Sequence, residues 1–332
     1  VIFIDGFEGF SGAGNPASLL QRAEYVATGT LSSVSGRSSF DGSAALGGGK
    51  VSVTRSFPWT TDKFACGIAN QFSARGSIMW LKYGTKYITL WMNEDNGLPM
   101  LNESAGGALP TITRWYYYEL FMNRENNTCE LWINNKLDQA IVIDGVVADA
   151  ATTIEVGLGY RDPALYRPAG FPVYADNGNR YIDDFYARDG DRLGPVIVTT
   201  RFPTTDVNVQ WFQASTTGNH ASNLSQHPPK PLDNYVAGDT VGKEDRFTSG
   251  VLLPNTNEIL ATGLLVMARK ADTLNAKLGV FMGGNAGAIA ARSAKLTVAN
   301  EWKTQYAAFE KTGGDTKAGV EASQFGINVA TP

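Results

Sequence analysis

The chain has 332 residues, with 28 Lys+Arg against 32 Asp+Glu and a net charge of −4. That length exceeds one ordinary hydrophobic core and suits two domains, and the acidic balance argues against nucleic acid as the main partner. With 43% hydrophobic and 18% charged residues, 36 glycines, 16 Phe, 13 Tyr and 7 Trp, the composition excludes a disordered chain and points to many strands and turns.

Charge divides unevenly, with 15 Lys+Arg and 20 Asp+Glu up to residue 190 and 13 against 12 beyond it. Cys66 and Cys129 are too few for a disulfide-stapled fold and read as buried free thiols. No apolar run approaches the ~18 residues of a membrane span, so no membrane insertion is expected. VIFIDGFEGF at the start has no basic region and reads as a first strand, not a signal peptide. Asn102, Asn126 and Asn223 stand in Asn-x-Ser/Thr sequons, which read as chance matches.

In chain order, residues 11–24 are loop-like with one helical turn. YVATGTLSSVS from Tyr25 predicts strand, a Ser/Gly stretch follows, and Gly47-Gly48-Gly49 predicts a turn because glycine weakens a strand interior. KVSVTRSF, Phe64–Ser73, Gly76–Tyr83 and Lys86–Met92 continue the strand series, with Gly84-Thr85 as a tight hairpin turn.

Trp115–Leu137 (WYYYELFMNRENNTCELWINNKL) is the clearest pattern. It predicts a strand, a polar turn over Glu125–Thr128, a second strand, and an Asn134-Asn135 turn into a third. Period-two alternation sets Trp115, Tyr117, Glu119 and Phe121 on one face and Tyr116, Tyr118, Leu120 and Met122 on the other. Both faces are largely apolar, which places the hairpin inside a sandwich. Gln139–Ile143 and Thr152–Gly159 are further strands, Tyr160–Asn179 is a long irregular loop, and Arg180–Arg188 (RYIDDFYAR) is a compact strand.

Asp189–Pro195 is the linker, dividing the chain into residues 1–190 and 191–332. Beyond it VIVTTRFP opens a second β-rich region. Ala214–Asp239 is polar and loop-like, Glu258–Arg269, Lys277–Met282, Ala299–Phe309 and Gln324–Val329 are strands, and Ala286–Ala291 is a turn or strand end. The whole is all-β: a jelly-roll sandwich followed by a second, smaller β-sandwich.

On the residues of Trp115–Leu137, with YIDDFYARDG (181–190) as closing strand and FIDGFEGF (3–10) as its partner, the first region resembles concanavalin A-like, or laminin-G-like, jelly rolls. The ordered series IDDFYARDGD, VIVTTRFPTTD, NVQWFQAS, ILATGLLVMARK and ASQFGINV is similar to a family of tailed-bacteriophage virion proteins that join such a jelly roll to a second β-domain. Those members often carry Trp-Thr where this chain has Ala318-Gly319. The resemblance implies a structural subunit of the tail, collar or capsid surface, made in the host bacterial cytoplasm. It also implies assembly with itself, as a homo-oligomer, and with other virion proteins. The alternative is a receptor-binding module that reads host-surface glycans with the jelly-roll loops.

A jelly-roll glycosidase needs paired carboxylates, commonly Glu-x-Asp-x-x-Glu on one strand. That motif is absent. Glu94-Asp95 point oppositely if extended and Glu119 and Glu130 are isolated, so no catalytic residues and no enzymatic activity are expected. Asp183 and Asp184, with Asp5 or Glu8, are the acidic set from which a structural Ca²⁺ site would be built. An ordinary strand end, with one carboxylate solvated and one on a turn amide, is the simpler reading. His220 and His227 lack further zinc ligands and read as surface-loop residues. For sugar contact, Trp59 at a strand end and Tyr160 or Tyr166 in the long loop are the exposed aromatics, while Trp80, Trp91, Trp115 and Trp132 read as core. No cofactor is expected.

Overall fold

The computed structural model describes residues 2–7, 16–37, 44–48, 50–73, 75–93, 95–143, 153–165, 179–214, 218–226, 234–252, 258–271 and 276–332. The chain forms two compact units, Val1–Val198 and Thr199–Pro332.

The first unit runs β1 (Ile2–Asp5), α1 (Ala17–Arg22), β2 (Val26–Thr28), β3 (Ser32–Ser35), β4 (Ala44–Gly48), β5 (Ser52–Pro58), β6 (Lys63–Phe72), β7 (Ser77–Tyr83) and β8 (Lys86–Met92). It continues through β9 (Pro99–Leu101), β10 (Ser104–Ala105), β11 (Tyr116–Asn123), β12 (Thr128–Ile133), β13 (Lys136–Val142), β14 (Thr153–Gly159) and β15 (Arg180–Asp189). Sheet A has the order β13-β12-β11-β6-β15-β4-β3, with β1 also on β15; sheet B has the order β10-β9-β8-β7-β14-β5-β2. All-antiparallel pairing in two facing sheets is the jelly-roll sandwich that the alternation predicts, and the fold is concanavalin A-like.

β1 pairs with β15 from Ile2↔Arg188 to Asp5↔Phe185, as the first- and closing-strand expectation requires. Phe3, Phe64 and Phe185 of sheet A close on Phe57 of sheet B at ring distances of 5.4 to 6.5 Å, so this cluster bridges the two sheets. The strands and turns read in Trp115–Leu137 are present, the first strand beginning at Tyr116. Tyr118, Leu120 and Met122 are paired with Ile68, Cys66 and Phe64 and share their core-facing side. Asn134 and Asn135 both take left-handed φ, +48° and +66°, the geometry of a two-residue turn that twists with its strands. Both cysteines are buried free thiols, and burial pushes their pKa up, so they stay protonated.

Two expectations give way. Gly47 and Gly48 are strand residues, not a turn. A Cβ on Gly47 would meet the Tyr181 ring at 2.9 Å, and one on Gly48 would lie 2.7 Å from the Thr30 carbonyl, so the glycines permit close approach. The second face of β11, with Tyr117 and Glu119, is not covered by a sheet. The segment read as the linker lies over it, with Gly194 N–H donating to Glu119.

The second unit contains β16 (Pro203–Val209), β17 (Phe212–Gln213), α2 (His220–Leu224), β18 (Val236–Ala237), β19 (Glu244–Ser249), β20 (Ala261–Ala268), β21 (Lys277–Met282), β22 (Arg292–Leu296), β23 (Lys303–Glu310), α3 (Lys317–Ala322) and β24 (Phe325–Ala330). A five-stranded sheet, β16-β19-β24-β21-β22, and the β20–β23 ribbon pack on a core of Leu278, Val280, Ala307 and Ile327, joined by Trp211, Leu264, Val266 and Phe309. β19 has no counterpart in the sequence reading, because Glu-Asp-Arg-Phe-Thr-Ser lacks an apolar alternation. Its Asp245 is nonetheless fully buried.

A candidate ligand cleft and the placement of predicted site residues

The two-residue Gly84-Thr85 turn fixes the β7–β8 register, which sets Lys82 opposite Tyr87 and Trp80 opposite Thr89. These four side chains therefore share one face of sheet B. Arg161, just after β14, lays its guanidinium 4.0 Å from the Tyr87 ring centre and 5.8 Å from that of Trp80. It also donates to Thr89 Oγ1. Trp80 and Tyr87 are themselves 5.8 Å apart. The result is an aromatic platform in which Tyr87 leans at 56° on Trp80 and keeps part of its ring exposed.

Above it the β9–β10 hairpin turns at Asn102, whose φ is +53°. The Asn102 side chain accepts from Thr89 N–H at 2.9 Å, and its carbonyl accepts from Trp91 Nε1 at 2.8 Å. That anchorage presents Glu103 beside the platform. A cavity of about 450 Å³ opens here, lined by Tyr87, Leu101, Glu103, Val142, Arg161 and Leu165 among others. Tyr87, Val142 and Leu165 are exposed. An aromatic face, aliphatic walls, one carboxylate and one guanidinium suit a ligand that has both apolar C–H faces and hydroxyls.

The predicted site residues lie elsewhere. Trp59, expected to be exposed, is only 1% exposed, with the Arg124 guanidinium stacked on it at 3.7 Å. That expectation is corrected: a strand-end tryptophan beside proline turned inward toward Phe64 and Tyr83. Tyr160 is half-buried, with Lys50 Nζ 6.0 Å from its ring. Tyr166, His227, Glu8 and Glu94 lie outside the described residues.

Asp183 and Asp184 do not form a strand end. They sit at a bulge within β15, where the register to β6 jumps between Asp183 and Tyr186, and Asp184 takes a left-handed φ of +50°. Asp183 accepts from Arg37 N–H at 2.7 Å and from the Asp184 amide at 2.8 Å. Asp184 holds the Arg37 guanidinium at 3.1 Å and the Val198 amide at 2.8 Å. Burial raises the pKa of both, and each other's proximity adds to Asp183. Asp5 binds the Phe7 amide and the Tyr25 hydroxyl, and burial pushes its carboxyl up to about 6. Among the described residues no group of three or more His, Cys, Asp or Glu is arranged to hold a metal ion.

His220 is not a surface-loop residue. It opens α2 and is buried, with Nδ1 2.6 Å from Asp245 Oδ2. Asp245 Oδ1 accepts from the amides of Gln210 and Trp211 at 2.8 and 2.9 Å. Asp206 receives the His220 and Ala221 amides. Replacing Asp245 with alanine strands two amides and the imidazole, so the second unit is expected to lose about 2–4 kcal/mol in urea unfolding.

No protein-family model matches the chain, and no curated protein matches its sequence. Among solved structures it is similar to a sialidase at 12% identity and TM-score 0.40, covering 57% of this chain and 18% of that one. It is similar to peanut lectin at 11% identity and TM-score 0.37, covering 57% and 97%. It is also similar to the carbohydrate recognition domain of Emp46p at 11% identity and TM-score 0.35, covering 56% and 99%. The chain thus spans under a fifth of the sialidase. The expectation of no enzymatic activity is corrected: a sialidase stands among the solved structures similar to this chain. What these proteins share with this chain is the concanavalin A-like jelly-roll fold.

Proposed function

We propose that the first unit is a glycan-recognition module whose ligand binds in the Tyr87–Arg161 cleft. The observation that carries this reading is the exposed Tyr87 ring, with the Arg161 guanidinium 4.0 Å from its centre, at the wall of a cavity of about 450 Å³ that Glu103 also lines. A pyranose ring lays its C–H face on an aromatic ring, and its hydroxyls meet the carboxylate and guanidinium. The lectin and the carbohydrate recognition domain among the structural likenesses are in keeping with such a ligand.

A glycan array probed with the labelled full chain tests this, and retention of a defined sugar class is the expected result. Tyr87→Ala removes the exposed ring without cutting a strand, and is expected to weaken the selected glycan by at least about tenfold. Equal binding by the variant would count against this cleft.

A second reading is a structural subunit of a tailed-bacteriophage particle, assembling with itself and with other virion proteins. Exposed apolar side chains on the second unit are in keeping with it: Val207, Val209 and Phe212 are 45%, 45% and 69% exposed. Immunogold labelling of purified particles tests it, and unlabelled particles would count against it. The two readings are compatible, since a receptor-binding subunit is also a component of its particle.

A further inference from the structure

The outer face of sheet A carries a site that neither the cleft nor the predicted residues account for. A Cβ on Gly67 would lie 2.6 Å from Tyr186, 2.8 Å from Tyr117 and 2.9 Å from Glu119. Glycine at this position lets all three side chains crowd together on that face. Trp132 and Glu119 are directly paired across β12 and β11. Trp132, Glu119, Gly67 and Tyr186 therefore form a row across four strands, with the fully buried Glu119 carboxylate between two aromatic rings.

Arg192 fills this row. Its guanidinium lies 3.7 Å over the Trp132 ring, pairs with Glu119 Oε2 and donates to Asn135 Oδ1 at 3.3 Å. Glu119 Oε1 receives the Tyr186 hydroxyl and the Gly194 amide at 2.9 Å. The Tyr186 oxygen accepts in turn from the Leu193 amide. Further along, Arg37 donates to the Val196 carbonyl, and Asp184 receives the Val198 amide. A planar cation on an aromatic face with a carboxylate and an amide oxygen at its edge is the recognition geometry of guanidinium, which an ammonium cannot reproduce.

We infer that the outer face of sheet A is a guanidinium-binding site occupied by the chain's own Arg192, and that this makes Asp191–Val198 a latch fixing where the chain leaves the first unit. The ligand class is an arginine on an extended segment. Glu119 is the central receptor: it takes both the guanidinium and a backbone amide two residues on, reading side chain and main chain together.

Limited trypsin digestion of the full chain, with fragments identified by mass, tests the latch, because trypsin cuts after Arg192 only when the strap leaves its seat. The unaltered chain is expected to resist cutting there, and Glu119→Gln to be cut there about tenfold faster. Buried Arg180 reports general unfolding, and its bond should stay slow in a folded variant. Should Glu119→Gln open at Arg180 as well, Arg192→Lys decides. It keeps a trypsin site and leaves Glu119 intact, so faster cutting at position 192 alone supports the latch. Cutting of the unaltered chain at Arg192 as fast as in either folded variant would overturn it.

Discussion

Gly157→Val is expected to remove the first unit's cooperative unfolding transition or shift it to much lower urea. Gly157 sits in β14 directly opposite Trp80 of β7. A Cβ there would lie 2.0, 2.3 and 2.5 Å from three atoms of the indole. Trp80 has no free direction, since Tyr87 and Arg161 pack against it. The added side chain must break either the strand pair or the stack. Overpacking of a close-packed site costs about 1–3 kcal/mol when neighbours yield, and more when they do not. Gly157→Ala is expected to show a smaller effect in the same direction. The cleft depends on this glycine too, because the platform that walls it rests on β14. A urea midpoint unchanged by valine, followed by tryptophan fluorescence, would contradict the packing described.

The second large effect is on pH. Asp5, Asp183, Asp184 and Glu119 all have carboxyl pKa values raised by burial, Asp5 to about 6. For each, the folded state holds protons that the unfolded chain has already released. Their contribution is therefore full below the unfolded value near 4 and is lost as pH rises through the raised one. Asp189 has the opposite sign: hydrogen bonds from Thr60 and Thr61 outweigh its burial and hold its carboxyl below the usual range, so its contribution is lost below about pH 4.

The Tm of the first unit should accordingly rise as pH falls from 8 to 5 and decline below 4. Asp5→Asn keeps an acceptor for the Phe7 amide while removing the half-buried charge. It is expected to raise stability at pH 8 by about 1–2 kcal/mol and to flatten the profile between pH 5 and 7. A profile that climbs steadily from pH 5 to 8 would show that these carboxyls are not raised.

Much of the fold was legible from local chemistry. Alternation in Tyr116–Met122 separated the core side from the other, and Asn134-Asn135 announced a turn needing two left-handed residues. What escaped depends on distant partners. Gly47 and Gly48 look like a turn until Tyr181 and the Thr30 carbonyl are seen against them. β19 is too polar to read as a strand, because the amides that its buried Asp245 satisfies come from residues 210 and 211.

The candidate site was half legible. The Gly84-Thr85 turn was recognised, and counting outward from it sets Trp80 opposite Thr89 and Lys82 opposite Tyr87, so the platform's face could have been read. Arg161 gave no signal, since nothing local places a loop arginine over a ring on another strand. Trp59 misled for the converse reason: its inward turn is set by Phe64, Tyr83 and Arg124. Asp183-Asp184 read as an ordinary strand end or part of a Ca²⁺ site, whereas they sit at a bulge and bind Arg37 and the amide of Val198.

The central claim is that a glycan binds over Tyr87, and the most direct measurement is a crystal structure of the chain with its array-selected sugar. The predicted result is a sugar ring stacked on Tyr87 at about 4 Å, with hydroxyls hydrogen-bonded to Arg161 or Glu103. A sugar bound away from β8 and the β9–β10 turn, with the Tyr87 face empty, would contradict the account.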